Sequence, residues 1–221
     1  MFMINLIQFR EELFALIHHL PAENRHLFEP FVCHGNPFDA RIFFVGANGV
    51  LDGTDRKMLP FLDYWTDTVG FDFWRWYEAL KGQRLSKTRR NADKMIQLLN
   101  NAGFKDKVLS TNVFSVGSPR LADLKKDSRS EAPFRYLLET LHPEFLYVFG
   151  SDAENAFENL WTNKVRRCAA EIEGVRPFEL TLNGRIIPGI FTKHLCYQTG
   201  NNHLNQYAGE IVRHLSIFKA K

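Results

Sequence analysis

Cysteine is scarce. Cys33, Cys168 and Cys196 are the only three in the chain, and no two of them form a CxxC pair. An odd, scattered set excludes a disulfide framework and removes the usual ligand pattern of a structural zinc or iron–sulfur centre. The thiols are expected to be reduced, as in a cytoplasmic protein. Long apolar runs are missing too. Arg10, Glu11 and Glu12 break the apolar N-terminus and no small-residue cleavage site follows, so neither a secretory signal nor a membrane span is expected. One-signed charge is also lacking: 28 Lys and Arg face 25 Asp and Glu, a net charge of +3. That is low for a dedicated electrostatic DNA binder, yet compatible with a polyanionic partner. No GxGxxG or Walker A pattern follows the first strand, which weakens a dinucleotide or nucleotide-triphosphate reading. Repeats, low-complexity tracts and a domain linker are absent as well.

What remains is an apolar chain of one-domain length. Hydrophobic residues make up 45% of the 221 positions, and 20 are Phe, enough to fill a full core. One domain over 1–221 is expected, with 1–38 as an N-terminal helical extension. The spacing of Leu6, Phe9, Leu13, Leu16, Ile17 and Leu20 predicts a helix over 5–20, stopped by Pro21. Residues 41–45 predict a strand buried on both faces, ending at Gly46. The Gly-, Asp- and Thr-rich segment 46–70 is expected to be a functional loop. Ser86 caps a predicted helix to about 102, with Gly103 past its end. A second strand is expected over 108–113, a helix around Phe134 to Leu141, and a third buried strand over 145–149. Gly150 closes that strand, and Ser151 is expected to cap the next helix. Alternation in 178–182, the Asn183-Gly184 turn and the return over 186–192 predict a hairpin. The last helix starts near Asn202. This order of strands and helices predicts an α/β fold: a three-layer α/β/α sandwich around a mostly parallel sheet.

In such sheets the ligand sits beyond the carboxyl ends of the strands. The residues there are Gly46, Ala47, Asn48 and Gly49 after the first strand, and Asn112, Ser118 and Arg120 after the second. Gly150 and Ser151 follow the third, and His194 the fourth. A carboxamide offers a donor and an acceptor side by side, which suits the edge of a uracil-like ring. An imidazole can donate to an oxygen that gains charge as a bond breaks. Asp52, Asp55, Asp63 and Asp67 lack metal-ligand spacing, so no metal is expected. The basic run 81–94, with Arg89 and Arg90, is a candidate for phosphate contact as well as a solvated helix face.

The glycine–asparagine loop after the first strand, the strand carrying Thr111-Asn112, the turn Val148-Phe149-Gly150-Ser151-Asp152-Ala153 and the strand ending in Lys193-His194-Leu195 together resemble the uracil-DNA glycosylase superfamily over roughly 40–218. The resemblance implies a uracil-DNA glycosylase-like fold. It places Asn48 as the water-activating residue, as in the mismatch-specific branch, Asn112 as the base reader, and His194 as the group that stabilises the departing base. It implies an aromatic stacked on the flipped base, for which Phe71 and Phe73 are the candidates. Two departures stand out. Gly49 replaces the proline that commonly follows the catalytic position. His194-Leu195-Cys196 replaces His-Pro-Ser, leaving Leu195 as either a wedge or a core residue. The expected activity is excision of uracil or another deaminated or mismatched base from single- or double-stranded DNA, by base flipping and hydrolysis. The expected protein is a monomer without cofactor, metal or membrane partner. The alternative is a glycosylase-fold protein without catalysis that binds nucleic acid or a nucleobase.

Overall fold

The computed structural model describes residues 5–18, 28–50, 60–81, 86–118, 121–170, 172–197 and 201–219. Its centre is a seven-stranded mixed sheet. In chain order the strands are β1 (Phe31–Cys33), β2 (Ile42–Val50), β5 (Val108–Ser118), β6 (Phe145–Phe149), β7 (Val165–Arg167), β8 (Arg176–Leu182) and β9 (Arg185–Thr192). A separate two-stranded ribbon joins β3 (Trp65–Thr66) to β4 (Gly70–Phe71). The sheet order is β1-β5-β2-β6-β9-β8-β7. Neighbours among β5, β2, β6 and β9 pair in parallel, while β1, β8 and β7 add antiparallel edges.

The parallel strands are apolar on both sides because helices cover both faces. β6 is the clearest case, with all five residues buried. On one face Ile42, Phe44, Val108, Phe145, Tyr147 and Ile190 pack with α3 (Lys87–Asn101) and α6 (Asn201–Lys219). On the other, Phe43, Val45, Leu109, Leu146, Val148 and Phe191 pack with α1 (Leu6–Ala15), α4 (Ala132–Leu141) and α5 (Ser151–Leu160). The remaining helix, α2 (Phe73–Lys81), extends the aromatic part of this second cluster through Phe73 and Trp76. The sequence reading of an α/β fold with a mostly parallel core therefore holds.

Local chemistry explains the boundaries. Ser86 Oγ accepts from the Arg89 N–H and caps α3, and Gly103 follows its end at φ +92°. Asn183 and Gly184 both have positive φ, which is what a tight two-residue hairpin turn between β8 and β9 requires.

Several expectations are corrected. The helix over 5–20 is ordered as α1 only to Ala15 and continues as a turn through 18, while 19–27 lie outside the described residues. Segment 1–38 is not purely helical: 31–33 form an edge strand hydrogen-bonded to β5. β2 and β5 each run past the predicted stop, so Gly46 and Asn112 lie within paired strands. The expected loop over 46–70 is a strand to Val50 and ordered turns from 60; residues 51–59 lie outside the described residues. Ser151 is not the cap of α5; that position is Gly150, at φ +97° and without a side-chain cap bond. Among the described residues no helix is long and apolar enough to cross a membrane.

Candidate functional site

The chain enters the parallel core at β2, adds β5 on one side, then returns to add β6 on the other. The strand order thus reverses between β2 and β6. Open α/β sheets leave a crevice at such a reversal, beyond the carboxyl ends of the strands. Register puts specific residues there. Gly46 of β2 lies opposite Asn112 of β5. Val45 pairs with Val148 and Phe149 with Thr192, so Gly46, Phe149 and the residues just past β9 share one end of the sheet.

These residues also share a face. Strand pleating sends alternate side chains to opposite sides, and Gly46 and Phe149 fall in the set that faces α3 and α6. A Cβ on Gly46 would meet Asn112 Oδ1 at 2.5 Å and the Phe149 ring at 3.4 Å. On its far side Phe149 meets the His194 imidazole edge-on, with centroids 5.7 Å apart. A Cβ on Gly150 would meet His194 Cδ2 at 2.9 Å. Asn112, Gly46, Phe149 and His194 therefore form a row, one from each of four neighbouring strands or their ends. Three inter-strand spacings span about 14 Å. The two polar members stand at the ends, and glycine and an aromatic ring lie between them.

His194 is held in one state. Its Nδ1 accepts from the Cys196 backbone N–H at 3.2 Å and lies 2.9 Å from Cys196 Sγ. A ring nitrogen that accepts carries no proton, so the neutral imidazole bears its hydrogen on Nε2. Burial pushes the His194 pKa down, and the Asp152 carboxylate opposes this. Burial pushes the Cys196 thiol up, against the nearby Lys87. Both groups are thus favoured in their uncharged forms. The loop is pinned from two sides: Asn91 Nδ2 of α3 donates to the Leu195 carbonyl at 2.6 Å, and the Tyr197 N–H donates to the His194 carbonyl.

The other expected site residues divide. Asn48 has its backbone in β2 opposite Phe114, and its side chain lies outside the described residues. Ala47 packs its methyl into the cluster on the opposite face, as strand alternation requires, so its side chain does not join the row. Phe71 and Phe73 belong to the cluster on the opposite face and are turned away from the row. Phe71 is 1% exposed and stacks on Phe61, while Phe73 is buried against His34 and Tyr77. Both fill the apolar layer behind the edge strand. Ser118 is buried at the end of β5, which removes it from phosphate contact, and Arg120 lies outside the described residues. Ser151 is exposed on the first turn of α5. Arg89 turns inward, over the Trp76 ring at 4.8 Å and beside Asp93, whereas Arg90 is exposed. Leu195 is fully buried and is core, not a wedge.

Three residues join the site without a sequence signal for that role. Phe149 reads in the sequence as a strand end and as part of the turn 148–153; only the β2–β6 register puts it on the face of Gly46. Cys196 shows in the sequence only as a departure from the motif; its contact to His194 depends on the fold of the turn. Tyr197, 75% exposed beside the His194 ring, carried no signal because helix and strand periods say nothing about a short turn. Among the described residues no group of three His, Cys, Asp or Glu is placed to hold a metal ion. Neither a protein-family model nor a curated protein sequence matches this chain.

Proposed function

We propose that the chain is a uracil-DNA glycosylase-like N-glycosidase that excises uracil or another deaminated or mismatched base from DNA. One observation carries the reading: a carboxamide and a neutral imidazole stand at the two ends of one row, separated by a glycine and an aromatic ring, at the reversal point of the parallel sheet. Asn112 supplies a donor and an acceptor for the polar edge of a base. Gly46 keeps its own position free of a side chain, so the Asn112 amide is not displaced. His194 supplies an Nε2–H.

In this reading the target nucleotide leaves the stack, because the sugar–base bond is shielded within a duplex. Unstacking costs a few kcal/mol, which pocket hydrogen bonds and stacking offset. As the glycosidic bond breaks, negative charge gathers on the base. His194 donates a hydrogen bond to it from Nε2. A water attacks the sugar carbon, and the resemblance gives the activation of that water to Asn48. An amide is not a base, so the rate is expected to lie below that of a carboxylate at the same place.

A second reading is a protein of the same fold that binds a base or a nucleic acid without cleaving it. It is favoured by the burial of Leu195, which the resemblance would place in the opened duplex. One assay separates the two. Single- and double-stranded oligonucleotides carrying uracil, hypoxanthine, xanthine or a G·T mismatch are incubated with the protein, and abasic sites are then cleaved with alkali. Strand scission lost in Asn48→Ala and His194→Ala supports excision. Binding without scission on every substrate selects the second reading, and absence of both binding and scission rejects the pair.

A further inference from the structure

The exposed face of α3 is one-signed. Lys87, Arg90, Lys94, Gln97 and Asn101 are all exposed and recur at spacings of three and four, so they form a continuous stripe along the helix. Over Lys87–Asn101 the stripe runs about 21 Å. The helix has one carboxylate, Asp93, and that group is turned inward beside Arg89. The facing half of α6 carries no competing negative charge. Asn202, His203, Asn205 and Gln206 are its exposed positions, and its nearest acid, Glu210, is 7% exposed and held by Arg213. Between the helices lies a depression of about 260 Å³, bounded by the lower part of the stripe and by Leu204 and Asn205.

The stripe begins at the candidate site. Lys87 is close enough to act on the Cys196 thiol, and Asn91, one turn on, holds the Leu195 carbonyl next to His194. Among the described residues of α3 and the facing half of α6, cations stand at one end, carboxamides at the other, and no carboxylate is exposed; the nearest acid acting at the site is Asp152, beside His194. Such a surface is suited to phosphates and sugar oxygens. We propose that this stripe and the α3–α6 depression bind the sugar–phosphate backbone of a single nucleic-acid strand leaving the row that ends at His194. This rests on the glycosylase-like reading for the identity of the partner, but not on catalysis. The cations hold the phosphates, and Gln97, Asn101 and Asn205 contact the backbone without reading its sequence.

The test uses the full chain and a labelled, undamaged oligothymidylate, which offers no base to excise. Binding is followed by fluorescence anisotropy over a range of salt concentrations. The double variant Lys87→Glu/Lys94→Glu is compared with Lys164→Glu/Arg185→Glu, an equal charge change at exposed positions in the turns before β7 and at the start of β9. The first pair is expected to lose about tenfold or more in affinity and to flatten the salt dependence by about 1.4, since each lost phosphate contact removes about 0.7 from the slope. The second pair is expected to change little. Asn205→Ala is expected to weaken binding a few-fold while leaving the slope unchanged. Equal losses in the two pairs would reduce the effect to net charge and overturn the proposal, as would unaltered binding in the first pair. Excision failing while the α3 pair still weakens binding removes the catalytic reading and leaves the strand track standing.

Discussion

Gly46 has no backbone need for glycine; space is what fixes it. A methyl there would lie 2.5 Å from Asn112 Oδ1, the movable end of a side chain, and 3.4 Å from the Phe149 ring. Gly46→Ala is therefore expected to cost little stability, about 1 kcal/mol, while swinging the Asn112 amide off the row. Excision by Gly46→Ala should fall nearly as far as in Asn112→Ala, roughly 10²-fold or more, the usual scale for losing a directed polar contact to a reacting group. Steady-state assays beside thermal melts check this, and a Gly46→Ala enzyme of full activity would remove Asn112 from base reading. The neighbouring imidazole sets a pH limit. Burial lowers the His194 pKa below its ordinary value of 6.5, so the neutral Nε2–H form persists as pH falls through that value. The acid limb of kcat is expected below about pH 6.5. Cys196→Ala removes the thiol contact but keeps the backbone donor, so a modest upward shift of that limb is expected, not its loss. A limb centred above 6.5 in the unaltered protein would show that the imidazole is not held neutral.

Elements, rather than single residues, hold the His194 loop in place. The carbonyl of Leu195 is bonded to Asn91, and Asn91 is buried on α3, a helix anchored by Ala92, Met95 and Leu99. Asn91→Ala leaves a buried carbonyl without that partner, at a cost of about 1–3 kcal/mol. Because the loop also carries His194, kcat should fall several-fold while KM changes less. Urea denaturation with steady-state kinetics tests this, and an intact kcat at reduced stability would make the brace purely structural. The same scale shows what the sequence could reveal. The parallel strands were readable because apolar runs such as 42–45 and 145–149 have no polar alternation, and the β8–β9 hairpin because Asn183-Gly184 needs positive φ at both positions. The three-residue edge strands β1 and β7 are too short to show a period. Their existence depends on hydrogen-bonding partners about 80 and 13 residues away along the chain. Phe71 and Phe73 differ from the expectation for a related reason: the resemblance asks for an aromatic at the site, but only the fold shows that Phe71, in β4, and Phe73, at the start of α2, point into the core.

At the scale of the whole molecule, α1 lies behind the sheet. Phe9 and Leu13 are fully buried in the cluster that contains Val45 and Leu146, on the face opposite the row of Asn112, Gly46, Phe149 and His194. The Phe9 ring lies 5.2 Å from Phe38, 5.6 Å from Tyr136 and 6.1 Å from both Phe31 and Trp65, so it joins α1 to the edge strand, the ribbon and α4 at once. Sequence alone left open whether 1–38 cover the site or support the sheet, because an amphipathic helix announces an apolar face and not the surface that receives it. With α1 behind the sheet, removing residues 1–18 exposes core and opens no pocket. Phe9→Ala is expected to cost about 3–5 kcal/mol, a large share of the 5–15 kcal/mol that holds a typical domain together. Deleting 1–18 should therefore lower the melting temperature sharply or prevent folding. Where Phe9→Ala still folds, KM for a uracil oligonucleotide should match the parent at a temperature below both transitions. A truncated chain that melts as the parent does and shows a lower KM would mean instead that this segment lies over the site and that the sheet's rear face is closed by other residues.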